Sequence, residues 1–114
     1  MRDEIKKHLW DTRQALRNIL EYASGKTLGD YRSSRMIRGA VEREFQIVGE
    51  GLARLHRADA QLASRIPHYR QIVEFRNVIV HEYDQISDEE VWSIVEDDVE
   101  PLLKTVESLL EEET

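Results

Sequence analysis

Apolar residues recur at three- and four-residue steps in every long segment of this 114-residue chain, the spacing of helices that bury one face. Ile5, Leu9, Leu16, Ile19, Leu20 and Ala23 form one such stripe, which predicts a helix from about Arg2 to Ala23. Ser24-Gly25-Lys26 ends it, with Gly25 suited to a left-handed cap. Leu28 to Ser34 reads as a polar connection with room for one helical turn. Ile37, Val41, Phe45, Val48, Leu52 and Leu55 then predict a second long helix from about Ser34 to His56. Gly49 and Gly51 lie inside it. Each costs about 1 kcal/mol relative to alanine in a helix interior, so two within one turn point to the close approach of another helix.

Asp59 can cap a short helix through Ala63, and Pro67 suits the start of a third main helix running to about Val80, with Ile72, Phe75 and Ile79 apolar. Ser87 followed by Glu90 is a capping-box pattern, and Asp88 and Glu89 favour the positive end of the helix it opens. Val91, Ile94, Val95, Val99, Leu102, Val106 and Leu109 carry that last stripe towards the C-terminus. Pro101 removes one backbone hydrogen bond and clashes with the preceding turn, which predicts a kink or break near Asp97–Asp98. The Glu111–Glu113 tail is expected to fray. No alternating strand pattern, internal repeat or low-complexity linker is present. The expectation is an all-α fold in one domain spanning residues 1–114. It is an up-and-down bundle of four main helices with one or two short ones.

Composition narrows the setting. No run of about 18 apolar residues exists to cross a membrane, and the N-terminal MRDEIKKHLW is too polar for a secretory signal. The chain has no cysteine, which excludes disulfides, cysteine nucleophiles and cysteine-ligated zinc. These features fit a cytoplasmic protein with no membrane association. The net charge of −7 is spread unevenly: residues 1–76 balance at +5 and residues 77–114 at −12. A locally basic face is therefore compatible with an acidic chain. The acidic C-terminal part is either a solvated, solubilising face or a surface that meets a basic partner or confines RNA to one side.

Four histidines are the only side chains whose ordinary pKa suits proton transfer near neutrality. His8, His56 and His68 are scattered and read as surface or helix-end residues. No histidine–carboxylate pattern with metal-ligand spacing and no glycine-rich phosphate loop occurs, so neither a metal nor a cofactor is expected. Ser33-Ser34 has no nucleophile context. His81 stands apart, because Phe75-Arg76-Asn77-Val78-Ile79-Val80-His81-Glu82-Tyr83 places polar groups on both sides of an apolar triplet. Arg76 and Tyr83 share a helix face, but Arg76 and His81 diverge by about 140° on a regular helix. They meet only if the helix ends or loosens near Val80–His81 or the side chains bend across a groove. On spacing alone, the pair is read more simply as an ion-pairing arginine and a C-terminal helix histidine favoured by the helix dipole.

RNVIVHEY resembles the Arg-(four residues)-His-x-Tyr signature of HepT-like proteins of the HEPN superfamily. IVGEGLARL (Ile47 to Leu55), IPHYRQIVEFRN (Ile66 to Asn77) and DEEVWSIVEDDVEPLL (Asp88 to Leu103) resemble three further stretches of that family, in order and across nearly the whole chain. Tyr69 stands where the family's tryptophan is expected. The resemblance implies an all-α homodimer that acts as a ribonuclease toxin, in a type VII-like toxin–antitoxin module, beside a minimal nucleotidyltransferase antitoxin. It also implies that the antitoxin adenylylates Tyr83.

Metal-free RNA cleavage needs a base for the ribose 2′-hydroxyl, an acid for the leaving 5′-oxygen and a cation for the phosphorane. His81 can supply the proton transfer and Arg76 a bidentate phosphate contact. Asn77 can hold the phosphate or orient His81. One proton-transfer group per chain makes a two-fold dimer chemically useful. DNA, lacking the 2′-hydroxyl, is excluded as a substrate. The alternative is a non-catalytic helical partner that binds a nucleotidyltransferase without cutting RNA, which the net charge of −7 and the acidic last helix favour.

Overall fold

A computed structural model of the chain describes residues 2–81 and 87–112. Helix α1 (Asp3–Ala23) opens with Asp3 and Glu4 at its positive end, and Gly25 just beyond it adopts φ +72°, the left-handed cap its position predicts. Ser34 caps α3 (Arg35–Ala58) by accepting the Ile37 N–H, and Asp59 caps α4 (Ala60–Ala63) by accepting the Leu62 N–H. Between α1 and α3 the chain forms α2 (Leu28–Ser33), where the sequence suggested a connection. Its nucleus is a reciprocal cap. Thr27 Oγ1 accepts the Asp30 N–H at 3.2 Å, and the Asp30 carboxylate accepts the Thr27 N–H at 2.9 Å. Tyr31 of α2 is fully buried beside Trp92, with ring centroids 5.4 Å apart, so a six-residue helix is anchored by one aromatic contact.

Helix α5 (Tyr69–His81) begins two residues later than Pro67 suggests, because His68 takes a left-handed φ of +61° and keeps Pro67 outside the helix. The last apolar stripe is divided as expected. Helix α6 (Asp88–Asp97) stops, Asp98 turns, and α7 (Val99–Glu112) continues. Pro101 falls in the first turn of α7, where its missing N–H leaves no helix bond unmade. The expected fraying of the tail does not extend to Glu111 and Glu112, which are helical. Both carboxylate oxygens of Glu112 accept from Arg65, at 2.7 and 3.0 Å.

The four main segments of the predicted bundle are thus α1, α3, α5 and the broken pair α6–α7, and no strand occurs among the described residues. Helix α3 is central, packed on one side by α1 and on another by α5, while α7 closes over α1. Leu9, Leu16, Ile19, Phe45, Val48, Leu52, Val99 and Val106 form the interior where these helices meet. Phe45 meets Phe75 edge to face at 5.2 Å, which fixes α5 against α3. The acidic end of the chain is partly neutralised by arginines from the first half, through Arg17–Glu107, Arg32–Glu89 and Arg65–Glu112. No helix among the described residues is long and apolar enough to cross a membrane.

Candidate functional site

The two glycines of α3 mark two different helix contacts. A β-carbon at Gly51 would lie 2.3 Å from Thr12 Oγ1 on α1, and one at Gly49 would lie 2.3 Å from Cβ and 2.6 Å from Cγ of Arg76 on α5. The close approach that both residues predict is therefore real, and at Gly49 its partner is a candidate site residue. The aliphatic stem of Arg76 lies in the notch that the missing side chain leaves. Glu50, the next residue of α3, places Oε1 3.6 Å from Arg76 Nη2, and Arg76 Nη1 donates to Asn77 Oδ1 at 2.7 Å. Arg76 Nε is buried and unpaired, while the side chain as a whole keeps 27% of its surface exposed. The guanidinium is thus held from its stem, from α3 and from its own helix, yet it reaches solvent. An arginine restrained in this way loses little freedom on meeting an oxyanion.

Asn77 is exposed and forms part of the wall of a groove of about 440 Å³ between α3 and α5. His81 is exposed at the very end of α5. Helix α5 stays helical to its end at His81, and on a regular helix Arg76 and His81 leave the axis about 140° apart. Tyr83 lies outside the described residues.

The remaining histidines differ from one another. His8 is half-buried, 3.7 Å from Glu4 one turn before it, as a helix-surface histidine would be. His68 lines an apolar cleft of about 290 Å³ between α5 and the α6–α7 pair, with Ile72, Phe75, Ile94 and Leu102. His56 has a partner that the sequence reading missed. It stacks on Tyr69, with centroids 5.5 Å apart and planes at 25°, and its Nδ1 shares a 3.0 Å hydrogen bond with Tyr69 Oη. The pair is thirteen residues apart with the whole of α4 between, so no local spacing announces it. Glu50, too, was legible only as part of a helix. No group of three or more potential metal-ligating side chains occurs among the described residues.

Comparison with known proteins gives this arrangement a context. A family model described as Ribonuclease HepT-like matches residues 12–109, a span that includes Gly49, Arg76, Asn77 and His81. A Methanocaldococcus jannaschii protein named "Putative RNase MJ1380" is 27% identical over 104 residues, covering 91% of this chain and 94% of that one. A second protein of that organism, named "Gamma-glutamylcyclotransferase and putative RNase MJ0434", is 26% identical over 112 residues; the match takes in 98% of this chain but 50% of the relative. "Putative RNase TTE0752" of Caldanaerobacter subterraneus is 23% identical over 95 residues, with 83% and 84% covered. No solved structure matches the chain.

Proposed function

The chain belongs to the HepT-like ribonuclease family, and from that premise we propose that it is a metal-independent endoribonuclease that cuts RNA with Arg76 and His81. The observation that carries the proposal is the seat of Arg76, a half-buried guanidinium braced by Gly49, Glu50 and Asn77 and still open to solvent. The core-facing side of α5 is made by Ile72, Phe75 and Ile79. A fixed cation of this kind offsets the charge that builds on a phosphorane.

In the reaction, His81 removes the proton of a ribose 2′-hydroxyl, and the 2′-oxygen attacks the adjacent phosphorus. Arg76 holds the non-bridging oxygens, with Asn77 beside it. The bond from phosphorus to the 5′-oxygen breaks, and a second imidazolium returns a proton to that oxygen. The products carry a 2′,3′-cyclic phosphate and a 5′-hydroxyl. Arg76 and His81 diverge on a regular helix, and each chain offers one proton-transfer group for a reaction that uses two. We assign the second acid–base group to His81 of another copy, across a two-fold axis.

The biological role follows the same reading. The protein is the toxin of a type VII-like toxin–antitoxin module, in the cytoplasm, and its partner is a minimal nucleotidyltransferase that adenylylates Tyr83. An adenylyl group two residues past His81 adds a bulky anion that competes with RNA for Arg76. The test is incubation of the purified protein with total RNA in EDTA, followed by end-group analysis. Cleavage leaving cyclic phosphate ends supports the proposal. Intact RNA, or cleavage that EDTA stops, refutes it, and intact RNA with retained nucleotidyltransferase binding identifies a non-catalytic partner instead.

A further inference from the structure

The groove that Asn77 borders extends away from Arg76 towards the last turns of α3 and the first turn of α5, and its walls carry His56, Arg57, Tyr69 and Arg70. These residues are organised. Arg70 lies over the Tyr69 ring, 5.8 Å from its centroid, and its Nε donates to Tyr69 Oη at 3.2 Å. Tyr69 Oη also shares a hydrogen bond with His56 Nδ1, 3.0 Å away. Guanidinium, phenol and imidazole thus form a ready-made stack at the mouth of the groove, with His56, Arg57 and Arg70 all exposed. Arg57 also lines a neighbouring hollow with Arg2 and Arg54. Glu74 and Glu4 are the carboxylates in the two linings, against four arginines. On a chain of net charge −7 this is a concentrated basic track.

We propose that this groove is a second RNA subsite. It holds a nucleotide flanking the cleaved bond by extending the His56–Tyr69–Arg70 stack with a base and meeting its phosphates with Arg57 and Arg70. The inference rests on the ribonuclease reading, because Asn77 is what joins the groove to Arg76. Its chemistry is that of a single strand. A base must be unstacked to join an aromatic platform, and stacking tolerates any base because each has a π-face. Such a subsite favours unpaired loops over duplexes and gives the enzyme affinity for longer RNA without a strict sequence preference.

Binding of a fluorescent 2′-O-methyl single strand of about 12 nucleotides tests this apart from cleavage, since that RNA lacks the attacking hydroxyl. Replacing Arg57 and Arg70 together by glutamine should weaken binding at least about tenfold. It should also lower the slope of log affinity against log salt by about 1.4, at roughly 0.7 per single-strand phosphate contact. Tyr69→Ala should weaken binding by about tenfold or more, and Tyr69→Phe or Tyr69→Trp should retain it, because stacking and not the hydroxyl carries the contact. The double variant alters only exposed side chains, so it separates RNA contact from folding. Unchanged affinity and salt slope in the double variant overturn the inference. Binding that depends on these residues, in a protein that leaves ordinary RNA uncut, upholds the subsite and refutes the cleavage reading alone.

Discussion

Gly49 of α3 and Arg76 of α5 are packed so closely that a methyl group on the glycine would overlap the arginine stem, 2.3 Å from Cβ. The contact is with the root of the side chain, which cannot swing away without moving α5. Gly49→Ala therefore gains about 1 kcal/mol of helix propensity but incurs an overpacking cost of about 1–3 kcal/mol. We expect a net loss of stability in urea denaturation and a larger loss of RNA cleavage than unfolding explains. Gly39 in the same helix has open space around its Cβ position, so Gly39→Ala should raise stability by about 1 kcal/mol and leave cleavage unchanged. Equal behaviour of the two variants would show that the contact at Arg76 does not matter.

Arg76→Ala and His81→Ala should each abolish RNA cleavage and toxicity while circular dichroism shows an intact helical fold. Removal of an acid–base group costs about 100- to 10,000-fold in rate. Sedimentation should show a dimer at working concentration. A strictly monomeric protein with full activity would contradict the proposed sharing of His81 between copies.

Tyr83→Phe removes one hydroxyl and should leave most cleavage activity, because a phenol of pKa near 10 is a poor base at neutral pH. It should also make the protein resistant to the proposed nucleotidyltransferase partner. Intact mass after incubation with that enzyme and ATP decides the matter. An adenylyl increment that persists in Tyr83→Phe, or that maps to Tyr22, Tyr31 or Tyr69, would assign the modification elsewhere.

Glu42 on α3 gives a pH-dependent prediction. Burial raises its pKa above the ordinary carboxylate value, repulsion from Asp88 at the start of α6 adds to this, and Arg38 opposes it. A carboxyl whose folded pKa is raised stabilises the fold at pH values below its unfolded pKa, and that contribution is lost as the pH climbs through the folded one. Glu42→Gln should therefore raise thermal stability at pH 7 and have a smaller effect near pH 4. A variant less stable than the parent at pH 7 would show that the charged form is the favoured one.

Much of the helical order was legible because helix formation is a local matter. The stripes from Ile5 to Ala23 and from Ile37 to Leu55, the Ser34 and Asp59 caps and the break before Pro101 all rest on spacings within a few residues. The sequence signal was weakest where local structure is completed from a distance. Helix α2 is held by Tyr31 against Trp92, and Glu112 stays helical with Arg65 beside it.

By itself the sequence determined the main helical segments, the break before Pro101, and that Arg76 and Asn77 lie on one helix that ends close to His81, since periodicity, capping and proline act along the chain. It also revealed, through two costly glycines, that α3 is closely approached there. Only the tertiary structure decided what approaches. Gly51 receives α1 and Gly49 receives Arg76, because the rotation of one helix against another depends on the whole set of side chains between them. The same packing brings His56 to Tyr69 and Glu50 to Arg76. No period in a linear pattern encodes such encounters, for they are made by the shape of the core and not by the spacing of the chain.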